Sequence, residues 1–190
     1  MPEIDFERLR SIGMTPALCQ HLLAVAADDD ADAAQCLMRV AEVHRETVML
    51  HDGDAERSAR TLPRVQRELA AAGTGLAVGD WVLARVDEHG AWWVQRRLPP
   101  LTHVSRRDAD GRRHPVVSNA DTALLVMGLD DDFNLRRLER YLALVNASEL
   151  TPVIVLTKAD AATLRAIESA CDGLRGRLVA SLPVVIADAR

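Results

Sequence analysis

A lysine and an aspartate follow an apolar run in the second half of the chain. Residues 153–160 read VIVLTKAD, so four apolar residues lead directly to Thr157, Lys158 and, two places later, Asp160. An aspartate carboxylate can accept two hydrogen bonds side by side, which suits a ligand edge with two adjacent N–H donors. Guanine has such an edge in N1–H and N2–H₂, and adenine does not. The pattern [N/T]-K-x-D therefore predicts a guanine-base pocket.

Each residue of this motif has a distinct expected task. Asp160 would select the base, the aliphatic stem of Lys158 would lie over the base or ribose, and Thr157 would tie the loop together. On the motif alone the structural alternative is favoured, in which Lys158 and Asp160 are ordinary solvent-facing and cap residues, because Asp160 would also serve as a helix N-cap. The position of the motif matters for this choice, since ligands of open α/β sheets bind at the carboxyl ends of the strands.

The sequence from residue 116 to residue 190 predicts such a sheet. TALLVMGL, PVIVL and LPVVIA are short apolar runs, as in strands covered on both faces. NLRRLERYLALVNAS has one apolar helical face with Asn134 as a possible cap, and AATLRAIESACDGLRG predicts a second helix. This βαβαβ order predicts a parallel sheet with right-handed crossovers, and it places the lysine and aspartate at a strand's carboxyl end.

Residues 36–115 have a different pattern, with short alternating strands. CLMRVAEV, ETVMLH, DWVLARV and AWWVQRRL predict four strands, and LTHVSRR predicts a fifth. A helix is predicted between the two pairs of strands by LPRVQRELAAAG. Five short strands with one helix favour a small barrel of the oligonucleotide/oligosaccharide-binding (OB) type. An SH3-like barrel is the close alternative.

Residues 1–35 predict a short helical arm before this barrel. TPALCQHLLAVAA begins with Thr15 as a plausible N-cap and with Pro16 in the first turn. The acidic stretch DDDAD at 28–32 lacks the glycine and the terminal glutamate of a calcium loop, so it predicts a solvated linker.

Charge is distributed unevenly along the 190 residues. The net charge of −5 argues against a wholly basic nucleic-acid-binding protein. Nevertheless six arginines lie close together in residues 96–113. Such a cluster can neutralise RNA phosphates without recognising a base sequence. The six are Arg96, Arg97, Arg106, Arg107, Arg112 and Arg113. A solvated, flexible linker is the alternative for these residues.

The tryptophans of the predicted barrel are candidate stacking platforms for bases. Trp92 and Trp93 are adjacent, so they must point to opposite faces of a regular strand. One of them is expected in the core, and the other is a candidate platform.

The cysteines and the hydropathy pattern indicate a cytoplasmic protein. Cys19, Cys36 and Cys171 are widely spaced and include no CxxC pair, which predicts free thiols and no zinc site. No signal peptide and no apolar run of membrane-spanning length is apparent, so no membrane partner is expected. We find no catalytic triad and no metal-ligand spacing.

A longer stretch around the guanine motif resembles a known family. Residues 117–160 are similar to the RsgA/YjeQ family of circularly permuted GTPases. The likeness rests on Asn119-Ala120-Asp121, on D-x-x-F-N at 130–134, on R-x-L-E-R-Y-L at 136–142 and on TPVIVLTKAD. The preceding barrel resembles the family more loosely, mainly through VGDWV at 78–82. Thr157 stands where asparagine is commoner in the family.

The resemblance implies an OB-like barrel followed by part of a permuted GTPase domain. The complete family protein would bind and hydrolyse GTP during maturation of the small ribosomal subunit, with the subunit and its rRNA as partners. In the permuted order the phosphate loop follows the guanine motif, and the 190 residues contain no G-x-x-x-x-G-K-[ST]. We therefore expect no catalytic residue in this chain and no hydrolysis by it alone. Mg²⁺ and Zn²⁺ are expected only with further C-terminal segments, and the protein is expected to be a monomer.

Two other functions remain open from the sequence. The chain would be an OB-type rRNA-binding module with a degenerate α/β appendage and no nucleotide binding, or a purely structural or protein-interaction fragment. A phosphate loop in the coding sequence beyond Arg190 would favour the GTPase.

Overall fold

The computed structural model describes residues 5–27, 35–111, 113–131, 133–177 and 182–188. The acidic stretch at 28–32 and Arg112 lie outside these residues. The chain divides into two units, Met1–Asn119 and Ala120–Arg190. No helix in the described part is long and apolar enough to cross a membrane.

The first unit contains three helices and seven strands among its described residues. In chain order they are α1 (Phe6–Ser11), α2 (Pro16–Ala27), β1 (Cys36–Val43), β2 (Val48–His51), β3 (Glu56–Thr61), α3 (Pro63–Ala71), β4 (Trp81–Val86), β5 (Trp92–Arg97), β6 (His103–Arg107) and β7 (Arg113–Ser118).

Strands β1 to β5 form a closed barrel in the order β1-β2-β3-β5-β4. Strand β3 pairs with β5 in parallel, and the other neighbours are antiparallel. The helix α3 connects β3 to β4. This arrangement confirms the prediction of an OB-like barrel, because an OB fold is a small barrel of five strands.

One strand of the barrel was predicted wrongly. The segment LTHVSRR was expected to supply the fifth strand, but β6 pairs with β7 in a separate two-stranded sheet. The barrel strand in question is β3, with the sequence ERSART. Ala59 is its one buried side chain. Such a strand gives almost no hydrophobic alternation, which explains why the pattern did not indicate it.

The barrel is apolar on its inside and, along β1 and β4, also on its outside. Met38, Val40 and Val94 fill the interior with five other buried side chains. On the outer face, Leu37 and Trp81 pack against leucines of α1 and α2. The N-terminal helices therefore cover the barrel wall. The hydroxyl of Thr15 accepts a hydrogen bond from the Leu18 N–H at 3.4 Å, as expected for an N-cap.

The second unit has the predicted βαβαβ order. Its elements are β8 (Thr122–Gly128), α4 (Leu135–Ala147), β9 (Thr151–Thr157), the 3₁₀ turn η1 (Ala159–Ala161), α5 (Leu164–Arg177) and β10 (Val184–Ile186). The three strands form a parallel sheet in the order β10-β9-β8. The predicted cap at Asn134 is confirmed, since its side chain accepts a hydrogen bond from the Arg137 N–H at 3.0 Å.

Side chains that alternate along β8 have contrasting environments. Met127 is buried with residues of α4 and α5, such as Leu138 and Leu174. In contrast, Leu124 and Val126 are 63% and 62% exposed. A parallel strand with apolar residues on both sides was expected to be covered on both faces. Among the described residues, the face that carries Val126 remains open to solvent.

We predict that two adjacent substitutions in β8 will differ sharply. Met127→Thr should lower the stability of the sheet by about 2–5 kcal/mol, because it removes buried apolar volume and buries a hydroxyl. Val126→Thr should change it by less than about 0.5 kcal/mol, because threonine keeps the β-branch and the site is exposed. Amide hydrogen exchange in β9 measures the change in the free energy of opening of the sheet for both variants. Equal losses for the two variants would show that the faces are assigned wrongly.

Candidate functional site

The loop after β9 holds all three residues of the predicted guanine motif. Thr157 is the last residue of the strand, and Asp160 lies in the 3₁₀ turn that follows. Between them Lys158 has φ 60° and ψ 34°, a left-handed conformation that is uncommon outside glycine. Because of this turn, the chain leaves the sheet abruptly at the carboxyl end of the central strand, where ligands of open α/β sheets bind.

The base of this loop is tied to the neighbouring strand. The Leu129 N–H donates to the Thr157 carbonyl oxygen at 2.9 Å. The hydroxyl of Thr157 lies 3.5 Å from the Met127 carbonyl oxygen, a long and therefore weak hydrogen bond. The expected task of Thr157, to tie the loop together, thus has a geometric counterpart across β8 and β9.

Asp160 has an exposed side chain in the first turn of η1. Helix α5 begins at Leu164. The first helical hydrogen bond of α5 runs from the Ile167 N–H to the Thr163 carbonyl oxygen at 3.1 Å. Asp160 lies in η1, three residues before Thr163, so it does not occupy the N-cap position of α5. Its exposed carboxylate lies just beyond the carboxyl end of β9, and its role in binding a base stays a prediction.

Sequence reasoning missed Asp130 as a member of this site. The ammonium of Lys158 forms an ion pair with the Asp130 carboxylate, which lies on the loop after β8. Gly128 and Thr157 are register partners at the ends of adjacent parallel strands. Asp130 follows one strand end and Lys158 the other, so the strand register was the signal that could have brought them together.

The six predicted RNA-contacting arginines have different environments. Arg106, Arg107 and Arg113 are exposed on the β6–β7 hairpin, and Arg96 on β5 is partly buried. The Arg97 side chain is only 10% exposed, and its Nε lies 2.9 Å from Oδ2 of Asp80. Arg97 therefore neutralises a buried carboxylate and is not presented to a polyanion.

The buried ion pair joins the barrel to the hairpin. Asp80 is completely buried and also accepts a hydrogen bond from the Ala77 N–H at 2.8 Å. Nη2 of Arg97 reaches the hydroxyl of Ser118 at 3.4 Å. The same hydroxyl lies 2.9 Å from Nδ1 of His103. Burial, followed by the nearby Arg97 charge, lowers the pKa of His103 below its ordinary value of 6.5, which favours the neutral imidazole.

The pairing of Ser118 with His103 does not form a nucleophilic site. Ser118 is completely buried, so no ligand reaches its hydroxyl. A close backbone approach explains this burial, because the Ser118 N–H donates to the Val78 carbonyl oxygen at 2.8 Å. Gly79 has φ 87°, and a Cβ there would lie 2.0 Å from the Ser118 carbonyl oxygen. The serine and histidine thus stabilise the junction between hairpin and barrel.

On the hairpin, two arginines are directly opposed. Arg107 and Arg113 are cross-strand partners, so their side chains share one face. Arg106 precedes Arg107 and points to the other face. Like charges in direct opposition repel each other, and a bound anion would relieve that repulsion. The predicted cluster therefore divides into an opposed pair on one face and Arg106 on the other.

The two adjacent tryptophans point to opposite faces of β5, as expected of neighbours on a strand. Trp92 packs against the barrel interior. Trp93 points outwards, where its Nε1–H donates to Oδ2 of Asp87 at 2.9 Å, and this bond is the main cause that lowers the pKa of Asp87. An open groove lined by Trp93 is also lined by Arg85 and Gln95.

Among the described residues, no group of three or more histidine, cysteine or acidic side chains has the geometry of a metal site.

The fold defines a class of protein, an OB-like barrel followed by a parallel α/β sheet, and the loop of Thr157, Lys158 and Asp160 lies at the carboxyl edge of that sheet. Comparison with known proteins agrees with this class. The RsgA GTPase family matches residues 98–180. The resemblance to the RsgA family that the sequence indicates is thereby confirmed.

Individual relatives support the resemblance to the RsgA family at 41% sequence identity. The chain is 41% identical over 163 residues to the small ribosomal subunit biogenesis GTPase RsgA of Xanthomonas oryzae pv. oryzae, covering 82% of this chain and 42% of that protein. It is 41% identical over 134 residues to RsgA of Opitutus terrae, covering 64% and 36%. The chain therefore spans less than half the length of these relatives.

Solved structures show the same fold at low sequence identity. YjeQ from Thermotoga maritima superposes with a TM-score of 0.61 at 18% identity, covering 81% of this chain and 52% of that one. YloQ, described as a circularly permuted GTPase, gives a TM-score of 0.58 at 17% identity, covering 85% and 54%. The expected fold, an OB-like barrel followed by part of a parallel α/β sheet, is thereby confirmed.

We predict that Arg97 will behave as a structural residue and Arg106 will not. Arg97→Met should lower the free energy of unfolding of the first unit by about 3–5 kcal/mol, because it leaves the Asp80 carboxylate buried without a counter-ion. The matched change Arg106→Met should alter it by less than about 0.5 kcal/mol. Urea denaturation followed by Trp fluorescence measures both. A mild effect of Arg97→Met would mean that Asp80 is compensated elsewhere.

Proposed function

We propose that the chain recognises the guanine base of GTP through Thr157, Lys158 and Asp160, as part of a GTPase of small-ribosomal-subunit biogenesis. One observation carries the proposal: the motif stands on a left-handed turn at the carboxyl end of the central parallel strand. The names of the relatives, small ribosomal subunit biogenesis GTPases, support the same function.

The described residues suit base selection more than phosphate chemistry. Phosphoryl transfer needs backbone amides, a lysine and Mg²⁺ around the phosphates. Lys158 is the one lysine among the 23 Lys and Arg residues of the chain, and it belongs to the base loop. We therefore propose that these residues discriminate guanine from adenine. Hydrolysis, in this proposal, is the activity of a full-length protein that supplies a phosphate loop and Mg²⁺.

The base pocket makes a direct prediction about nucleotide preference. Asp160→Asn replaces a carboxylate acceptor with an amide that faces the guanine donors badly but accommodates the C2 oxygen of xanthine. In the full-length protein, GTP affinity should fall by about 2–4 kcal/mol, which is roughly thirty- to a thousand-fold. Affinity for xanthosine triphosphate should rise. Titration of wild type and variant with both nucleotides gives the four constants required.

A neighbouring aspartate provides the control for this experiment. Asp131 is exposed and lies near the same edge of the sheet, after β8. Asp131→Asn changes the net charge by the same amount, so it reports any general electrostatic effect on a nucleotide polyanion. Unchanged GTP affinity in Asp160→Asn, with no gain for the xanthine nucleotide, would exclude the guanine pocket. It would favour an OB-type rRNA-binding module without nucleotide binding.

We also propose that the first unit contacts rRNA of the small subunit, through the exposed arginines of the β6–β7 hairpin. The observation that favours this surface is the direct opposition of Arg107 and Arg113, whose repulsion phosphate groups would relieve. Arg96 and Arg106 remain candidate contacts, and so does Arg112. Arg97 is omitted because it is ion-paired with the buried Asp80.

The hairpin proposal predicts a change in the salt dependence of binding. Arg107→Gln with Arg113→Gln should weaken association with small ribosomal subunits. It should also reduce the slope of log affinity against log salt by about one unit per lost phosphate contact. The isolated protein should keep its stability, because the substitutions remove a repulsion. The matched control is the double variant Arg136→Gln with Arg140→Gln, at two exposed positions of α4. An unchanged slope in the double variant would contradict the proposal.

The partners and location follow from these two proposals. We propose guanine nucleotide and the small ribosomal subunit as partners of a monomer. The free cysteines Cys19, Cys36 and Cys171 suit a reducing cytoplasm.

A further inference from the structure

The ammonium of Lys158 is held by a residue that the guanine motif does not include. Its partner, the Asp130 carboxylate, comes from the loop after β8. Both side chains are partly exposed, 52% for Lys158 and 37% for Asp130. The two residues are distant in sequence, and the ion pair joins two loops at the carboxyl edge of the sheet.

Both loops have fixed backbones where the ion pair forms. The Leu129 N–H donates to the Thr157 carbonyl oxygen at 2.9 Å, which joins the two strand ends. The Phe133 N–H donates to the Asp130 carbonyl oxygen at 2.9 Å, which closes a turn around the aspartate. Backbone hydrogen bonds therefore flank the ion pair, one between the two strand ends and one at Asp130 itself.

Gly128 leaves the space in which the pair meets. A Cβ built on Gly128 would lie 2.7 Å from Oδ1 of Asp130 and 3.3 Å from Cδ of Lys158. The first distance is shorter than any ordinary van der Waals contact, so an alanine would displace the carboxylate. The glycine therefore permits the carboxylate and the lysine stem to share this position beside the strand end.

An exposed ion pair of this kind contributes little to folding stability. Its effect on a flexible side chain is larger. A lysine has a four-carbon stem with many rotamers, and ordering the stem on binding lowers affinity. An anchor at the ammonium restricts the stem before the ligand arrives. The methylene groups of the stem then provide a preformed apolar surface for a planar base.

We propose that Asp130 is a positioning residue of the base pocket, which anchors the Lys158 ammonium so that the lysine stem is preformed as the surface on which the guanine ring lies. This inference rests on the proposed guanine-binding function. It adds a residue that acts through Lys158 and does not itself touch the base. Asp130 thus sets the strength of purine binding, while Asp160 sets the choice among purines.

The test measures nucleotide affinity of the full-length protein with the Asp130→Asn substitution. GTP and xanthosine triphosphate should each bind about three- to tenfold more weakly, because the cost of ordering one side chain returns. The ratio of the two affinities should not change, whereas Asp160→Asn should invert it. Asp130→Glu keeps a carboxylate and should recover part of the loss, and Gly128→Ala should reproduce it. Asp131→Asn is the matched control and should bind as the wild type does.

A double-mutant cycle with Lys158→Met shows whether Asp130 acts through the lysine. Methionine keeps an apolar stem and has no ammonium to anchor, so adding Asp130→Asn to it should have no further effect on affinity. A full additional loss in that background would overturn the proposal. Unchanged or tighter GTP binding by the single variant Asp130→Asn would also overturn it.

These outcomes are distinguishable from failure of the guanine pocket itself. Wild-type protein that binds GTP and switches preference with Asp160→Asn, but ignores Asp130→Asn, would overturn the positioning role alone. Wild-type protein with no preference for guanine nucleotides would overturn both.

Discussion

A single buried charge, the carboxylate of Asp80, constrains the whole first unit. A carboxylate without access to water must have a counter-ion or lose its charge, and Arg97 supplies the counter-ion from the end of β5. Arg97 must then turn into the protein, where it also meets Ser118 at the end of β7. The side-chain amide of Asn119, the residue that follows, donates to the Gly79 carbonyl oxygen at 3.0 Å. The hairpin that carries the exposed arginines is thus attached to the barrel beside this charge.

The sequence predicted the elements whose hydrophobic pattern is strong. Both β8 and β9 are unbroken apolar runs, and they form the expected parallel pair. The hydrophobic pattern did not predict β3, because ERSART has one buried side chain, an alanine. This segment belongs to the barrel because it pairs with β2 and β5. Strand pairing between distant segments is a tertiary property that local periodicity does not encode. The N-terminal helices were likewise predicted as helices, but their packing on the barrel wall was not.

The candidate site shows the same limit at the level of side chains. Thr157, Lys158 and Asp160 are nearly contiguous, so a motif could indicate them together. Asp130 meets Lys158 only because two parallel strands end in register. Arg97 was grouped with the surface arginines because a run of arginines predicts a solvated, basic surface. The carboxylate that pairs with it belongs to Asp80, the residue immediately before β4, and no local sequence pattern indicates that the two residues meet.

The lysine in the loop after β9 makes the chain selectively reactive toward reagents that modify side-chain amines. Because Lys158 is its one lysine, reagents that acylate side-chain amines have a single target, and that target lies in the candidate pocket. An acyl group there would remove the charge that Asp130 anchors and would add bulk to the stem. Apart from the N-terminal amine, amine-directed labelling of this chain therefore modifies the candidate pocket alone. A fluorophore or affinity tag attached through lysine would occupy the very surface proposed for the base.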